Sequence, residues 1–247
     1  MKVYKYHGCN NSFLIIEDNK NEYSVLAQKL CSKTFFDTDG MLVVKNNPLE
    51  MVVYNKDGSY AKMCGNGIRC FTDFIHKKDK NNNEYQIKCG NKIYTTKVVS
   101  EFPFLCSINL GRAFIVDVNY YHFDKEVKEI YKVDIGNIHL VLFVDSFTEY
   151  LPYKDNISLG EYNVNFVRII NQESIEVITY EKGVGFTKSC GTGASASAYL
   201  ANKIYNLNNK ICVNTEGGFL NVEINEEIIL VGESKFVNEY EVLDIWM

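Results

Sequence analysis

The sequence has no stretch that is long and apolar enough to cross a membrane. A spanning helix needs about 18 consecutive apolar residues, and no run in the 247 residues approaches that length. The first residues, Met-Lys-Val-Tyr-Lys-Tyr-His-Gly, also lack the apolar core of a secretory signal. We therefore expect a cytoplasmic protein.

The chain also lacks an excess of basic charge. It carries 31 acidic and 26 basic residues, with a net charge of −5 and a pI near 5.5. No basic face is concentrated enough to indicate a nucleic-acid or anionic membrane partner. We expect a small-molecule partner instead, bound by one large domain or by two small domains that each bury a core.

Paired cysteine ligands are missing as well. The chain has eight cysteines and four histidines, but no Cys-x-x-Cys pair, and the histidines are scattered. The spacing needed for a zinc site or a thioredoxin-type redox site is therefore absent, and no metal is expected. Most of these thiols are expected to be buried core residues, because free cysteine is among the most buried residue types.

Short strand-like runs dominate what is present, with few helices among them. The first half predicts strands at residues 2–6, 12–16, 41–44, 50–54, 84–88, 92–99 and 106–110, with helices at 21–32 and 67–77. The second half predicts strands at residues 129–133, 139–144, 164–170, 174–180, 211–214, 219–224 and 228–232, with a helix at 194–204. Turn residues at 89–91 and 216–218 are consistent with antiparallel hairpins between these strands.

An internal repeat organises these elements. Cys64-Gly65-Asn66-Gly67 and Cys190-Gly191-Thr192-Gly193 each precede a helix, and they lie about half the chain apart. The repeat predicts two similarly folded lobes with a cleft between them. We place the first lobe at residues 1–109 and the second at 110–236, and we expect 237–247 to return as a strand on the first lobe.

A Cys-Gly-x-Gly helix start has a definite chemistry. The first amides of a helix have no partners within it and attract a carboxylate, and the same field lowers the pKa of a cysteine toward the working pH. Such a thiol is an efficient acid or base. Two copies in one cleft predict a two-base inversion of an amino acid, which requires no pyridoxal phosphate or other cofactor.

Both motifs resemble signatures of the diaminopimelate epimerase family. The first signature is matched by NKDGS at residues 55–59 and MCGNGIRCF at 63–71, and the second by YEKGVG at 180–185 and SCGTGA at 189–194. The resemblance implies two pseudo-symmetric α/β lobes, each a curved, mostly antiparallel sheet around a central helix. It also implies epimerisation of LL- to meso-2,6-diaminopimelate for lysine and peptidoglycan synthesis, by a homodimer.

The family's site residues carry over to matching positions in this sequence. Cys64 and Cys190 match the two catalytic bases. The residues whose amides would bind the reacting carboxylate are Gly65, Asn66, Gly191 and Thr192. The residues that would recognise the rest of the amino acid are Asn11, Asn55, Asn137, Asn163, Glu181 and Lys182. Lys182 is a departure, because the family has an arginine there that grips the far carboxylate with two parallel hydrogen bonds.

Three other functions compete with diaminopimelate epimerisation. The same mechanism on another amino acid, such as histidine or lanthionine, is favoured by Lys182. A single-cysteine hydrolase or transferase would use His7 or His139 as its base, but it leaves the second motif without a role. A non-catalytic amino-acid-binding protein would use the helix starts alone.

Overall fold

The computed structural model describes residues 1–19, 22–124, 126–158 and 160–242. These form two compact units. The first is Met1–Ile108 together with the segment that begins at Gly232, and the second is Asn109–Val231. The first division falls one residue before the predicted one, and the chain returns to the first unit at Gly232 rather than at Val237.

The first unit is built mainly of strands. Its elements are β1 (Lys2–Gly8), β2 (Asn11–Glu17), α1 (Tyr23–Leu30), β3 (Gly40–Lys45), β4 (Glu50–Asn55), β5 (Tyr60–Ala61), α2 (Gly65–Lys78), β6 (Glu84–Cys89), β7 (Lys92–Glu101) and β8 (Phe104–Gly111). Antiparallel pairs form between β1 and β2, β3 and β4, β4 and β5, β6 and β7, and β7 and β8. Parallel pairs form between β2 and β3 and between β4 and β6.

The second unit repeats this arrangement. Its elements are β9 (Phe114–His122), β10 (Val127–Asp134), β11 (Ile138–Phe143), α3 (Phe147–Tyr150), α4 (Lys154–Ser158), β12 (Asn163–Asn171), β13 (Ser174–Glu181), β14 (Gly185–Thr187), α5 (Gly191–Tyr205), β15 (Lys210–Thr215), β16 (Gly218–Ile224) and β17 (Ile228–Glu233). The chain then returns as β18 (Lys235–Glu241), which pairs with β1.

The repeat extends from the cysteine motifs to the strand pairing. In the second unit β10 pairs antiparallel with β11, β11 parallel with β12, and β12 antiparallel with β13. Strand β13 then pairs antiparallel with β14 and parallel with β15, which is antiparallel to β16. The same succession runs from β1 to β7, so each unit is one copy of a single sheet topology.

Each sheet encloses one helix. Helix α2 packs against β1, β2, β3, β4, β7 and β18, and α5 packs against β10, β11, β12, β13, β15 and β16. A helix in contact with six strands of one sheet lies inside the curve of that sheet. The predicted α/β fold, with a mostly antiparallel curved sheet around a central helix, is confirmed.

The two central helices pack different types of side chain into their cores. Large apolar side chains of α2 such as Ile68, Phe71 and Phe74 fill the first core. In α5, small residues occupy all the buried positions except Leu200, and the hydroxyls of Ser195 and Ser197 donate to carbonyl oxygens one turn earlier. Small residues with satisfied hydroxyls let strands approach α5 closely without leaving a buried polar group unpaired.

Several predicted boundaries differ from the structure. The helices predicted at 67–77 and 194–204 begin earlier, at Gly65 and Gly191, and the one predicted at 21–32 spans Tyr23–Leu30, with residue 21 outside the described ranges. The predicted final strand, 237–247, is β18, and residues 243–247 lie outside the described part of the chain. Strand β9 is not among the predicted strands. Within the described ranges, no helix has the length and apolar character that a membrane crossing requires.

Candidate active site

Both cysteines of the repeated motif are the N-cap residues of the enclosed helices. The backbone N–H of Gly67 donates to Cys64 Sγ at 3.4 Å, and that of Gly193 donates to Cys190 Sγ at 3.4 Å. In each case the sulfur occupies the place that a serine or aspartate oxygen takes in an ordinary N-cap. A thiolate is favoured at this end of a helix, because the free amides and the macrodipole both favour negative charge.

The other six cysteines lie outside the repeated motif, and most of them are core residues. All eight are free thiols. Burial raises the pKa of Cys31 and Cys106 to about 11 and that of Cys70 and Cys89 to about 12. These four therefore stay protonated at neutral pH, and the prediction that most of the cysteines are core residues is confirmed.

In the first unit, Arg69 holds the start of α2. Its side chain is fully buried, and its guanidinium donates to the Gly65 carbonyl at 3.1 Å and to Asn66 Oδ1 at 2.8 Å. It also donates to Cys9 Sγ at 3.3 Å, which ties the turn between β1 and β2 to the same helix start. Arg69 thus holds Gly65 and Asn66, the two residues that follow Cys64, in position.

Asn11 and Asn55 lie at strand ends of the first unit. Asn11 begins β2, and its Oδ1 atom is buried with no hydrogen-bond partner among the residues that the structure describes. Asn55 ends β4, and its Nδ2 atom donates to Ser59 Oγ at 2.9 Å in the turn before β5. An unpaired buried acceptor is costly, so Asn11 is the residue of the two whose surroundings call for a ligand.

In the second unit, a chain of hydrogen bonds runs from Cys190 through Thr192 and His139 to Asn137. Cys190 Sγ lies 3.5 Å from Thr192 Oγ1, which lies 3.0 Å from His139 Nε2. The side-chain amide of Asn137 lies 3.0 Å from the same Nε2 atom. Burial lowers the pKa of His139 to about 4, so its imidazole is neutral at neutral pH.

Glu181 stands beside the same cysteine. Thr187 Oγ1 donates to its Oε1 atom at 2.6 Å. Burial raises the pKa of the Glu181 carboxyl, and the hydrogen bonds from Thr187 and Cys190 oppose that shift. A carboxyl of this kind is suited to accept a hydrogen bond from an ammonium or a thiol in the site.

Asn163 and Lys182 are paired separately. Asn163 Oδ1 accepts from the backbone N–H of Lys182 at 2.9 Å, so the asparagine fixes the turn after β13 through its oxygen. The Lys182 side chain is exposed. The structure therefore connects Cys190, Thr192, Asn137 and Glu181 by hydrogen bonds, and leaves Asn163 and Lys182 as a second group.

Almost the whole chain is similar in sequence to known proteins. The family model for diaminopimelate epimerase matches residues 3–115 and 131–237. A diaminopimelate epimerase of Clostridium perfringens is 33% identical over 269 residues, covering 96% of this chain and 97% of that protein. The chain belongs to the diaminopimelate epimerase family.

A second relative agrees with this assignment, and a solved structure shows the same fold. A diaminopimelate epimerase of Caldanaerobacter subterraneus is 34% identical over 275 residues, covering 98% of this chain and 99% of that protein. The solved structure of a predicted epimerase from Pseudomonas aeruginosa has the same fold, with a TM-score of 0.75 at 12% identity, covering 98% of this chain and 99% of that one.

Family membership decides between the classes of function. The diaminopimelate epimerase family makes this chain an isomerase of the racemase and epimerase class. The single-cysteine hydrolase and the non-catalytic binding protein are therefore set aside. His139, which the hydrolase reading uses as a base, contacts Thr192 at 3.0 Å and stays neutral.

The quoted signatures of the diaminopimelate epimerase family do not indicate every residue that builds the site. Asn165, Thr179 and Thr187 were not predicted, although each makes a hydrogen bond to a residue around Cys190. Asn165 has one weak signal, since it is the polar residue within the otherwise apolar run from Val164 to Val167. Arg69 lies inside the first signature, but its burial and its partners are visible only in the fold.

Proposed function

We propose that the chain is a diaminopimelate epimerase, which interconverts LL- and meso-2,6-diaminopimelate for lysine and peptidoglycan synthesis, with Cys64 and Cys190 as its two bases. The observation that carries the proposal is the equal construction of the two cysteine sites. Each sulfur caps an enclosed helix and accepts a 3.4 Å hydrogen bond from the amide three residues on.

The proposed proton transfer uses no group beyond the two thiols. One thiolate removes the α-proton, and the electron pair of the broken C–H bond is delocalised into the adjacent carboxylate as an enolate. The other thiol gives its proton to the opposite face of the α-carbon and becomes the thiolate. The helix-start amides of Gly65, Asn66, Gly191 and Thr192 stabilise the charge that develops on the carboxylate.

The remaining residues recognise the rest of the substrate. The buried Asn11 oxygen, which has no partner in the described part of the chain, can accept from an ammonium group. We assign Glu181 to the α-ammonium, because its carboxyl interacts with Cys190. We assign Asn55, Asn137, Asn163 and Lys182 to the distal amino and carboxylate groups.

A second candidate keeps the mechanism and changes the amino acid to histidine or lanthionine. The observation that favours it is the Lys182 side chain, an exposed ammonium. It binds a carboxylate as a point charge rather than as a fork, which selects less strictly for a second carboxylate at a fixed position.

Exchange in deuterated water tests both parts of the proposal. The purified protein is incubated under reducing conditions with single stereoisomers of diaminopimelate, histidine and lanthionine, and deuterium is measured after chiral separation. With two bases, deuterium enters the inverted product before it enters the recovered substrate. A single base returns deuterium to both isomers at once, and exchange with histidine or lanthionine alone would move the assignment to the second candidate.

Cysteine variants complete the test. Cys64→Ala and Cys190→Ala are each expected to abolish inversion, because either change removes one of the two bases. Cys212→Ala is the control, since Cys212 is a partly buried thiol on β15 outside both motifs. Full inversion in either motif variant would contradict the two-base mechanism.

A further inference from the structure

The side-chain amide of Asn165 has its orientation fixed by the backbone. Asn165 is fully buried on β12, and its Nδ2 atom lies 3.1 Å from the Leu140 carbonyl oxygen. A carbonyl oxygen can only accept, so the amide must present its NH2 group to that oxygen. The Oδ1 atom on the other side accepts from Thr179 Oγ1 at 3.0 Å, which completes the amide.

The fixed amide sets the tautomer of His139. The same Nδ2 atom lies 3.1 Å from His139 Nδ1 and directs its second hydrogen there, so Nδ1 must accept. A neutral imidazole has one donor nitrogen and one acceptor nitrogen. Since Nδ1 is the acceptor, the ring hydrogen is on Nε2.

The position of this hydrogen decides what Thr192 does. His139 Nε2 lies 3.0 Å from Thr192 Oγ1. Because Nε2 carries the hydrogen, it donates, and the Thr192 hydroxyl oxygen accepts through a lone pair. The hydroxyl hydrogen is then left for Cys190 Sγ, 3.5 Å away. The same ring hydrogen requires the Asn137 amide to present its oxygen, which is a half-turn about χ2 from its orientation in the structure.

The opposite tautomer would reverse the chain of donors. With the hydrogen on Nδ1, Nε2 would accept the Thr192 hydroxyl hydrogen, and only lone pairs would remain for the sulfur. A donated hydrogen bond stabilises a thiolate, whereas an accepted one stabilises a thiol. The orientation of Asn165 therefore bears on the charge state of Cys190.

We propose that Asn165 is a positioning residue for Cys190, which holds His139 as the Nε2–H tautomer and thereby commits the Thr192 hydroxyl hydrogen to the Cys190 sulfur. The inference rests on the proposed function only in taking Cys190 as a base. Gly193 of the motif leaves room for the Asn165 side chain, because a Cβ at that position would lie 2.3 Å from Asn165 Oδ1. Among the described residues, Glu181 on β13 is a further titratable group that faces Cys190 within this unit.

Nitrogen NMR of the protein labelled with ¹⁵N-histidine tests the tautomer directly, without any substrate. The four histidines are few enough to assign, and His139→Gln identifies the His139 signals. Wild type is expected to show a protonated Nε2 and an unprotonated Nδ1 from pH 6 to 8. A protonated Nδ1 in the wild-type protein would overturn the proposal.

Variants separate the roles of the two partners of Asn165. Thr179→Val removes one hydrogen bond but leaves the Leu140 carbonyl, so the Nε2–H tautomer must persist. Asn165→Leu removes the donor to Nδ1, and the two tautomers are expected to mix. A pure Nε2–H signal in folded Asn165→Leu would show that Asn165 does not set the tautomer.

The effect on the sulfur is read from the pH dependence of Cys190 alkylation by iodoacetamide, measured on its peptide by mass spectrometry. Thr192→Val is expected to move the midpoint upward by about one pH unit, the size of one hydrogen bond to a charged group. Asn165→Leu is expected to move it in the same direction by less, because its mixed tautomers still leave part of the Thr192 donation. Thr192→Ser keeps the hydroxyl and the wild-type midpoint, and Cys64 in the same samples is the internal control. Because no substrate is present, a wrong substrate assignment leaves this result unchanged, whereas an unmoved midpoint in Thr192→Val contradicts the positioning role alone.

Discussion

Arg69 Nη2 donates a 2.8 Å hydrogen bond to Asn66 Oδ1 from a fully buried guanidinium. Its other partners are the Gly65 carbonyl and the Cys9 sulfur at 3.1 and 3.3 Å and the Glu233 carbonyl at 3.4 Å. These partners are carbonyl and amide oxygens and a thiol, which are neutral groups. In the described ranges no carboxylate oxygen lies within 4.0 Å of the guanidinium. A buried arginine stays charged, so the start of α2 combines helix amides with an unbalanced positive charge and favours an anion.

Arg69→Met is expected to lower kcat/KM for α-proton exchange by about 100-fold, since hydrogen bonds to a charged group contribute about 1.5–3 kcal/mol each. Arg69→Lys keeps the charge but loses the planar fork, and should fall between wild type and Arg69→Met. The measurement is initial rates together with the melting temperature. Arg112→Met is the control, because Arg112 is exposed and its ion pair with Glu226 is long, at 3.9 Å. An unchanged kcat/KM in folded Arg69→Met would show that the charge serves packing alone.

Glu181 is expected to cost stability at neutral and alkaline pH. Its pKa is raised above the ordinary value of 4.5, chiefly by burial, so the folded state holds this proton to a higher pH than the unfolded state does. The free energy of unfolding therefore falls as the pH rises from 4.5 through the folded pKa and is level above it. Glu181→Gln keeps an acceptor for Thr187 without the buried charge.

The comparison of wild type with Glu181→Gln by urea unfolding at pH 4.5 and pH 8 checks this. The stability of the variant relative to wild type should be higher at pH 8 than at pH 4.5, while α-proton exchange is lost. Glu223→Gln, on an exposed ion pair with Lys210, serves as the control. A relative stability that is the same at both pH values would mean that the carboxyl is not perturbed by folding.

The sequence contains enough to predict the repeat, the enclosed helices and the two cysteines, because these depend on local patterns. The predicted helices nevertheless begin too late, at Gly67 and Ala194 rather than at Gly65 and Gly191, since glycine is a poor helix former. In the fold the cysteine sulfur caps the helix, and the first glycine is already helical. A cap of this kind is common for serine or aspartate but not for cysteine, so the residue type hides it.

The rest of the site depends on contacts between distant residues. Asn165 lies on β12 and meets Thr179 from β13 and His139 from β11, and no local spacing indicates that these three converge. Strand β9 escapes prediction for another reason. Almost every residue from Phe114 to His122 is exposed, so the strand lacks the alternation of buried and exposed positions by which strands are recognised.

His139 is expected to make the protein less stable in mild acid. Burial lowers its pKa from an ordinary value of 6.5 to about 4, so the unfolded chain binds a proton between these two pH values while the folded chain does not. The stability that depends on a neutral His139 is complete above pH 6.5 and is lost as the pH falls toward 4. The slope is at most about 1.4 kcal/mol per pH unit.

Urea unfolding of wild type and His139→Gln across pH 4–7.5 isolates this contribution, because the carboxylates that titrate below pH 5 are common to both proteins. The variant should be less stable at pH 7.5 but lose less stability on acidification. His122→Gln, at an exposed position on β9, should keep the wild-type slope. Equal slopes in wild type and His139→Gln would mean that folding leaves the pKa of the imidazole unchanged.

The second glycines of the two motifs are expected to differ in their tolerance of a side chain. A Cβ on Gly193 would lie 2.3 Å from Asn165 Oδ1 and 3.2 Å from Thr179 Oγ1, whereas one on Gly67 would meet the Leu42 Cδ2 methyl at 3.1 Å. The leucine can turn aside, but the Asn165 amide is held by the Leu140 carbonyl. Gly193→Ala should therefore destabilise by about 2–3 kcal/mol, and Gly67→Ala by no more than about 1 kcal/mol.

A double-mutant cycle identifies the cause of that difference. If the clash is with the Asn165 amide, Gly193→Ala should cost less in an Asn165→Ala background, where the amide is gone, and the two changes will not add. The urea midpoints of the four proteins give the coupling, and Gly67→Ala combined with Asn165→Ala should be additive. Additive costs for Gly193→Ala and Asn165→Ala would instead place the strain in the α5 backbone, and the motif glycine would then be required by the helix start rather than by the asparagine.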